Sequence, residues 1–402
     1  MGREEGRRET VILKNKGGVK TKRFLIFLAL TGLLFWAPQA KASKEEMYIL
    51  LNLLVEKGTI TKDESKEIIM AVENIAKKQK QDAEKGAIRT AAAKSMKIGG
   101  YGQIRYDNYE YKGKIDEFNA KRIRAAISGD IIDNVAYKIE FDLVKGKNND
   151  LLTDAWVKFT HFPKANITLG QFKIPYSEEY LISSSALDTI ERSLPVGKMA
   201  QEYDRGIMVS GDLFDKVVNY GVALVNGTGA NTSDDNDSKD IVARLVFSPW
   251  AKSNNALSGL KFGAAYQLGE QKTGVNAEDR VRNVFTLKYD YKNFRTLAEY
   301  LTQDIEKKAT SISTKSDGYF VQVAYTFPLS NSNAIEPVLK YEVYDPNIKV
   351  SKDNQTIFTT GLNYYLGKNV KFSTNYRWRN DDKGGKIETN SNEWFSQVQI
   401  KY

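Results

Sequence analysis

From Met96 onward, apolar and polar residues alternate with a period of two. Between Val370 and Arg379 the even positions hold Val, Phe, Thr, Tyr and Trp, and the odd positions hold Lys, Ser, Asn, Arg and Arg. Such segments run for about 10–12 residues, the length of a tilted strand that crosses a membrane. A soluble β-sandwich also alternates, but its strands are shorter and its outward face is not the aromatic one. The pattern therefore favours membrane-spanning strands.

Sixteen segments of this kind follow one another, and an even number is typical of bacterial single-chain barrels. The predicted strands are residues 97–109, 118–130, 135–145, 152–162, 166–174, 204–214, 217–227, 239–248, 259–268, 280–291, 293–304, 317–327, 334–344, 356–366, 369–380 and 391–402. Connections after even-numbered strands are mostly short, and those after odd-numbered strands are longer and polar, as periplasmic turns and extracellular loops are. The long connection from Pro249 to Ser258 departs from this rule. We predict an all-β fold, a 16-stranded antiparallel transmembrane β-barrel over residues 96–402, around a water-filled lumen.

The only long apolar run lies near the N-terminus, from Phe24 to Ala37. Basic residues precede it and the small-residue pattern Ala40-Lys41-Ala42 follows it, which is typical of a cleaved secretory signal. A short membrane anchor is the alternative, although the run is shorter than the roughly 17–25 residues that span a bilayer. We therefore predict that residues 1–42 are a signal peptide.

Composition then limits the classes of function. The formal net charge is +9, but residues 1–42 contribute +6 of it, so +3 remains for the exported chain. This small excess gives no support to nucleic-acid binding. The chain has no Cys and one His, which excludes disulfide frameworks, thiolate zinc sites and two-His metal motifs. The negative mean hydropathy also excludes a protein of many membrane-spanning helices.

A short α-helical segment, residues 43–95, separates the signal from the barrel. Ile49, Leu50, Leu53 and Leu54 have helical spacing, and the stretch from Thr61 to Glu64 fits a capping box that begins a second helix. So few residues bury little core alone. Two interpretations stay open: a helical hairpin packed on something else, or a periplasmic element for oligomerisation or cell-wall contact.

Aromatic residues mark the strand ends and the C-terminus. The last strand alternates and finishes on Tyr402, as the C-terminal strands of outer-membrane barrels do. The outward faces carry aromatic residues near strand ends, which predicts an interfacial girdle; these are Tyr289, Tyr291, Tyr341, Tyr364, Tyr376 and Trp378.

A series of short motifs spread over the barrel resembles the phosphate-selective porin O and P family. The motifs, in chain order, are Lys121–Ala125, Gly129–Asp130, Tyr137–Lys138, Asp154–Val157, Gly170–Ser177, Glu191–Leu194, Asp204–Gly206 and Asn226–Gly229. The resemblance implies a homotrimeric channel in the bacterial outer membrane, surrounded by lipid, with the helical segment in the periplasm. It also implies that phosphate-type anions pass a lumen lined by Arg and Lys.

The longest connection runs from Ile174 to Tyr203, after the fifth strand. It resembles the porin loop that folds inward and narrows the pore. Hydroxyls and cations there could replace water around an oxyanion; the candidates are Lys173, Ser183, Ser184, Ser185, Arg192, Lys198 and Arg205. The serines could equally satisfy only turn amides. Strand parity leaves the direction of Lys173 unresolved without a bulge near Gly170.

The polar faces of the strands carry fifteen cations and ten acids, an excess that favours anions inside a low-dielectric wall. Many charges could instead pair across strands and cancel. The anion-binding candidates are Arg105, Arg122, Arg124, Lys138, Lys158, Arg377 and Arg379. Barrel closure would gather the five arginines on one wall, with Asp107 and Glu393 as the nearby acids.

The function predicted from the sequence is passive diffusion of small anions. A general, weakly selective porin and a structural barrel tethered to the cell wall are the alternatives. An enzyme is not expected, because barrel hydrolases need a Ser–His pair and His161 shares its parity with the lipid-facing Val157 and Phe159. No cofactor, metal site or catalytic residue is predicted.

Overall fold

The computed structural model describes residues 44–58, 60–84, 93–111, 113–144, 151–383, 386–389 and 391–402. The chain divides into two compact units, residues 1–83 and 84–402. The predicted signal peptide lies outside the described residues. None of the described helices is long and apolar enough to cross a membrane.

The described part of the first unit contains two helices, as the periodicity predicts. Helix α1 is Lys44–Glu56 and helix α2 is Lys62–Glu84. The capping box is confirmed: the Thr61 amide donates to Glu64 Oε2 at 2.8 Å, and the Glu64 amide donates to Thr61 Oγ1 at 3.2 Å. These bonds satisfy two amides that have no partner in the helix. Leu51 is buried, whereas Ile49, Leu53 and Met70 are exposed.

Sixteen long strands form the barrel. They are β1 Lys97–Tyr109, β2 Glu117–Ile132, β3 Val135–Asp142, β4 Leu152–Phe162, β5 Ala165–Lys173, β6 Tyr203–Leu213, β7 Val218–Val225, β8 Asp240–Phe247, β9 Leu260–Gln271, β10 Glu278–Tyr291, β11 Phe294–Lys307, β12 Ile312–Tyr325, β13 Ala334–Asp345, β14 Gln355–Leu366, β15 Val370–Lys383 and β16 Glu393–Lys401. Two short pieces add to the sheet: Phe327–Pro328 pairs with β13, and Lys386–Thr389 extends a hairpin from β15. The predicted strand count is confirmed.

The sheet closes on itself. Each strand pairs antiparallel with its neighbours in sequence, and β1 pairs with β16 from Tyr101 opposite Lys401 to Tyr109 opposite Glu393. Closure removes the free edges at which an open sheet would pair with another chain. Tight turns lie at one end of the barrel, where Asn134 and Lys164 take φ of 62° and 68°. Most of the long connections lie at the other end, whereas residues 248–259 after β8 form a long connection at the turn end, the exception seen in the sequence.

The period of two separates the faces of the wall as predicted. Phe262, Phe358 and Trp378 are exposed on the outside, whereas Gln267, Lys340 and Glu342 are buried on the inside. Outward aromatic rings pair near the strand ends, with Tyr289 stacked on Tyr291 and Phe358 stacked on Trp378. This arrangement is typical of the girdles that sit at the two membrane interfaces.

The C-terminal tyrosine packs where the barrel closes. Gly100 and Tyr402 exchange backbone hydrogen bonds of 3.2 Å, and the Tyr402 hydroxyl donates to the carbonyl oxygen of Arg124 at 3.0 Å. A Cβ at position 100 would lie 2.1 Å from that carbonyl oxygen and 2.5 Å from the hydroxyl. Glycine therefore leaves the space that the terminal ring occupies.

Residues 174–202, called the inner loop below, connect β5 to β6. They form helix α3 Glu178–Leu181, a 3₁₀ turn at Ser184–Ala186 and helix α4 Leu194–Met199. Other 3₁₀ turns lie in three further connections, at Ala256–Gly259, Gly274–Asn276 and Ser330–Ser332. In the inner loop, Tyr176, Val196 and Met199 are buried in one apolar cluster with Leu301 and Phe320 of the barrel wall. Apolar packing therefore holds one part of the inner loop inside the barrel.

Candidate functional site: the barrel lumen

The inner loop crosses the barrel interior and bonds to the opposite wall. Glu299 of β11 accepts from the Ser177 hydroxyl at 2.6 Å and from the Glu178 amide at 2.7 Å. Farther along the inner loop, the Leu194 amide donates to Glu342 of β13 at 2.6 Å, and the Ile190 amide donates to Asn375 of β15 at 2.7 Å. Backbone amides that could not pair in a strand thus find partners on lumen side chains.

The inner loop is acidic, which the sequence tally of strand faces did not include. It holds five carboxylates, Glu178, Glu179, Asp188, Glu191 and Glu202, and two cations, Arg192 and Lys198. Its carboxylates reach lumen cations: Lys288 bonds Glu178 at 2.9 Å, and Arg295 bonds Asp188 at 2.7 Å. The inner loop therefore removes much of the positive excess that the strands alone would carry.

Glu191 is the inner-loop carboxylate that meets the arginine wall. It pairs with Arg105 of β1 and lies 2.9 Å from Lys121 of β2. Burial alone would raise the pKa of Glu191, but Lys121 and Arg105 outweigh it and hold that pKa well below its usual range. Lys121 points inward because the β1–β2 register shifts beside it, so that no residue of β1 opposes it. A strict alternation would have directed it outward.

The structure brings the five predicted arginines onto one wall, because β15, β16, β1 and β2 are neighbours. Four of the five meet carboxylates. Arg105 pairs with Asp107, Arg377 with Glu393, Arg379 with Asp381, and Arg124 with Glu140 and Asp142. The two acids expected from the sequence are confirmed, but Glu191, Glu140, Asp142 and Asp381 add to them. Arg122 instead donates to the amide oxygen of Gln103 at 3.0 Å.

The two predicted lysines of the lumen differ in their surroundings. Lys138 lies between Asp154 at 2.6 Å and Glu140 at 2.9 Å. The Lys158 ammonium lies over the indole of Trp156, 5.0 Å from the ring centroid. Lys138 is thus neutralised by its neighbours, whereas Lys158 makes no ion pair within the described part of the chain.

Lys173 turns inward, which resolves the direction that parity left open. Gly170 has a φ of 121°, and this backbone departure precedes the change of face. The Lys173 ammonium donates to the carbonyl oxygens of Tyr180 and Ile182 and pairs with Glu202 at 3.0 Å. Arg192 shares Glu202, also at 3.0 Å. Both cations therefore hold the inner loop together.

The remaining inner-loop candidates are divided. The Ser183 hydroxyl accepts from the Ser185 amide at 3.3 Å and lies 3.1 Å from the Ser185 hydroxyl, so these two serines satisfy a turn. The Ser184 hydroxyl accepts from Arg192 at 3.3 Å. Lys198 is exposed. In Arg205, Nε and Nη2 are buried and have no hydrogen-bond partner among the described residues.

Several lumen cations keep no carboxylate within ion-pair distance in the described ranges. These cations are Arg122, Lys158, Lys261, Arg282 and Lys371. Arg282 donates to Gln303 at 2.7 Å, and Lys371 donates to the carbonyl oxygen of Leu187 at 2.8 Å. Neutral partners leave the charge of a cation uncompensated, so these groups carry what remains of the positive field.

Comparison with known proteins decides the family. The family model described as phosphate-selective porin O and P matches residues 97–295 and 291–400, which covers the barrel. The chain belongs to this family. It is a porin of the bacterial outer membrane, and its fold and family are those of a channel rather than an enzyme.

Similar proteins agree with the barrel architecture. An uncharacterized protein of Aquifex aeolicus (strain VF5) is 26% identical over 418 residues, covering 90% of this chain and 95% of that protein. An anion-selective porin from Comamonas acidovorans superposes with a TM-score of 0.57 at 12% identity, covering 77% of this chain and 99% of that chain.

Two further solved structures share the fold. OmpF of Salmonella typhi, solved in complex with daunomycin, has a TM-score of 0.57 at 13% identity, covering 79% of this chain and 100% of that chain. OmpT of Vibrio cholerae, an outer-membrane protein described in a trimer form, has a TM-score of 0.56 at 11% identity, covering 76% and 99%. At these identities the likeness extends to the fold alone.

Proposed function

We propose that this porin gives passive diffusion to small anions, and that the inner loop narrows their path. One observation carries the proposal: Arg122, Lys158, Lys261, Arg282 and Lys371 have no carboxylate partner in the described residues. The lumen carboxylates, by contrast, are mostly engaged. Glu191 and Glu393 each meet cations, whereas Glu299 accepts only from neutral donors among the described residues and is an exception.

An uncompensated cation in the wall of a narrow channel raises the local concentration of anions. At an effective dielectric constant of about 20, one unit charge about 8 Å from a passing ion is worth about 2 kcal/mol before screening. Physiological salt reduces this substantially, because the Debye length is then also about 8 Å. We therefore expect a moderate preference for anions over cations.

Phosphate-type oxyanions are the proposed substrates within this class. The family description supports them, and so does Arg122, whose guanidinium faces the amide of Gln103 rather than a carboxylate. A guanidinium stays charged and can bind two phosphate oxygens at once. The proposal of phosphate over other anions rests on these two points.

A general, weakly selective porin is the second candidate. The observation that favours it is the density of ion pairs, since Arg105, Arg124, Arg377 and Arg379 all face carboxylates. The electric fields of two paired charges of opposite sign largely cancel at distances greater than the separation of the two charges. The two candidates therefore differ in degree of selectivity rather than in mechanism.

The assembly that we propose is a homotrimer in outer-membrane lipid. The trimer form described for OmpT of Vibrio cholerae supports it, as a protein of the same fold. We propose that residues 43–95 lie in the periplasm and contribute to oligomerisation or to cell-wall contact. A purely structural barrel tethered to the cell wall would also have this segment, but it would not conduct ions.

Ion substitution in planar bilayers tests the proposal. Replacing potassium by Tris, a bulkier cation, should change the single-channel conductance less than replacing chloride by a bulkier anion such as gluconate. Potassium phosphate should support a measurable current. A conductance that follows the cation would reject anion preference, and a barrel that does not conduct in any salt would favour the structural alternative.

A further inference from the structure

A bay of about 270 Å³, open on one side, lies in the lumen between strands β2–β6 and the first part of the inner loop. Part of its lining is apolar: Trp156, Phe172, Leu181 and Met208. The rest is polar and includes Lys158 and Thr168. We call this space the Trp156 bay. A wall that combines an apolar surface with a few placed polar groups is typical of small-molecule sites.

Two polar groups of the Trp156 bay stand beside each other without a partner. Lys158 of β4 and Thr168 of β5 are directly opposite in the strand register. Thr168 is 1% exposed, and its buried hydroxyl has no hydrogen-bond partner among the described residues. Among the described residues, the contact given for the Lys158 ammonium is the one with the Trp156 ring. Buried hydroxyls are normally bonded, so the pair points to a missing acceptor.

The other charges around the Trp156 bay already have partners. Lys138 is held by Glu140 and Asp154, Arg124 by Glu140 and Asp142, and Lys173 by Glu202. The indole of Trp156 also donates to Asp154, at 3.2 Å. Lys158 stands outside this network, so the acceptor that suits it is an anionic oxygen.

The wall next to Trp156 is free of side chains. Gly170 and Gly206 continue the register row that begins at Lys138 and Trp156. A Cβ at Gly170 would come within 2.1 Å of the Ala155 carbonyl oxygen, and a Cβ at Gly206 within 2.0 Å of the Leu224 carbonyl oxygen. Neighbouring backbone therefore requires glycine at both positions, and neither residue places a side chain beside the indole.

We propose that the Trp156 bay binds small organic monocarboxylates with an apolar body. The carboxylate accepts hydrogen bonds from Lys158 Nζ and Thr168 Oγ1, and the apolar body packs on Trp156, Phe172 and Met208. This inference rests on the proposed function, because the ligand reaches the bay through an anion-conducting lumen. Inorganic phosphate fits less well, since it has no apolar part and its second negative charge faces Glu140 and Asp154.

The test compares three anions as blockers of single-channel chloride current: acetate, benzoate and inorganic phosphate. Benzoate has an apolar ring and the other two do not. We expect benzoate to reach half-block at a concentration about tenfold below that of acetate, in line with the contribution of an aromatic contact. Lys158→Gln should raise the half-blocking concentration of benzoate about tenfold, because the charge that binds the carboxylate is lost. Thr168→Val should raise that concentration less. Thr168→Ser keeps the hydroxyl and should restore the wild-type concentration.

Lys368→Gln is the matched control, because it makes the same change at an exposed lysine that lies in the β14–β15 turn and does not line the Trp156 bay. It should leave the benzoate value unchanged. Three results would each overturn the inference. They are equal block by acetate and benzoate, tighter block by phosphate than by benzoate, and a half-blocking concentration of benzoate that is unchanged in Lys158→Gln. Heat-modifiable electrophoretic mobility identifies any variant whose barrel has not folded. If Lys158→Gln fails to fold, the comparison of Thr168→Val with Thr168→Ser tests the site instead.

The same recordings separate this inference from the proposed function. An anion-selective channel without benzoate block would reject the Trp156 bay and keep anion diffusion. Benzoate block that depends on Lys158, in a channel without anion preference, would keep the bay and reject anion diffusion.

Discussion

The effect of a lumen cation on a passing ion depends on the carboxylate beside it. Arg377 and Arg122 lie on the same wall, but Arg377 bonds Glu393 and Arg122 bonds the neutral amide of Gln103. Arg377 and Glu393 form a dipole whose field falls off quickly, whereas Arg122 forms no ion pair among the described residues and keeps more of its charge. The number of arginines on the wall is therefore a poor measure of its selectivity.

Arg122→Gln should lower the anion-to-cation permeability ratio, because it removes an uncompensated charge from the lumen wall. The expected change is about twofold to threefold, after salt screening has reduced the Coulomb energy of one charge. Reversal potentials under a salt gradient measure it. Arg122→Lys keeps the charge and should remain close to wild type; a ratio that is the same in all three proteins would exclude Arg122 from the selectivity wall.

Glu191→Gln should have the opposite effect, because it frees Arg105 and Lys121 from their shared carboxylate. The anion-to-cation ratio should rise about twofold, because Lys121 loses its carboxylate and Arg105 keeps only Asp107. The lowered pKa of Glu191 sets the pH dependence. Its ion pairs stabilise the folded state at any pH above the unfolded pKa of about 4.3, and this contribution is lost as the pH falls through the lower folded pKa.

The difference between wild type and Glu191→Gln should therefore persist at pH 5. This difference in selectivity should disappear only well below pH 4, where wild-type Glu191 also takes up a proton. Reversal potentials at a series of pH values measure the convergence. If the two proteins already converge between pH 6 and pH 5, Glu191 is not held ionised by its neighbours.

At the scale of the element, the strand that closes the barrel depends on a residue without a side chain. Gly100→Val should destabilise the barrel by about 1–3 kcal/mol, because the added Cβ meets the Arg124 carbonyl oxygen and the Tyr402 ring. Gly102 is the matched control on the same strand, since a Cβ there has no heavy atom within 4 Å. Thermal unfolding followed by heat-modifiable mobility measures both variants. Equal midpoints would contradict the packing of Tyr402 at the closure.

The alternation of apolar and polar residues is enough to predict the positions of the strands, but it is not enough to predict which side chains line the lumen. Each membrane strand has an apolar and a polar face, so its position can be predicted from local sequence. Lys121 and Lys173 depart from that rule. A register shift turns Lys121 to the lumen side of the wall, and the positive φ of Gly170 precedes the same change at Lys173. Local pattern does not encode such departures.

The sequence predicts the inner loop as a long connection at the correct place, but it does not predict the contacts that the loop makes. Ser177 reaches Glu299 and Glu191 reaches Arg105 across 122 and 86 residues of sequence. Its bonds to distant walls depend on closure of the whole barrel. The acidic composition of the inner loop was the available signal, because five carboxylates in a segment that enters a basic lumen will meet its cations.

At the scale of the whole molecule, helices α1 and α2 belong to a unit of their own, and their role is separate from conduction through the barrel. If they contribute to oligomerisation, deletion of residues 44–84 behind the native signal should weaken the proposed trimer and leave a folded barrel. Exposed apolar residues such as Ile49, Leu53 and Met70 would supply the contacts. Mild-detergent electrophoresis measures the oligomer, and a trimer of unchanged stability would remove the helices from its assembly.

The sign of the ionic selectivity is the central property of the proposed function. The most direct measurement is the zero-current potential of the wild-type channel between two potassium chloride solutions that differ about tenfold in concentration. An anion-preferring lumen makes the dilute side negative, since chloride moves down its gradient faster than potassium. A dilute side that is positive would show that the unpaired lysines and arginines do not govern the ion path.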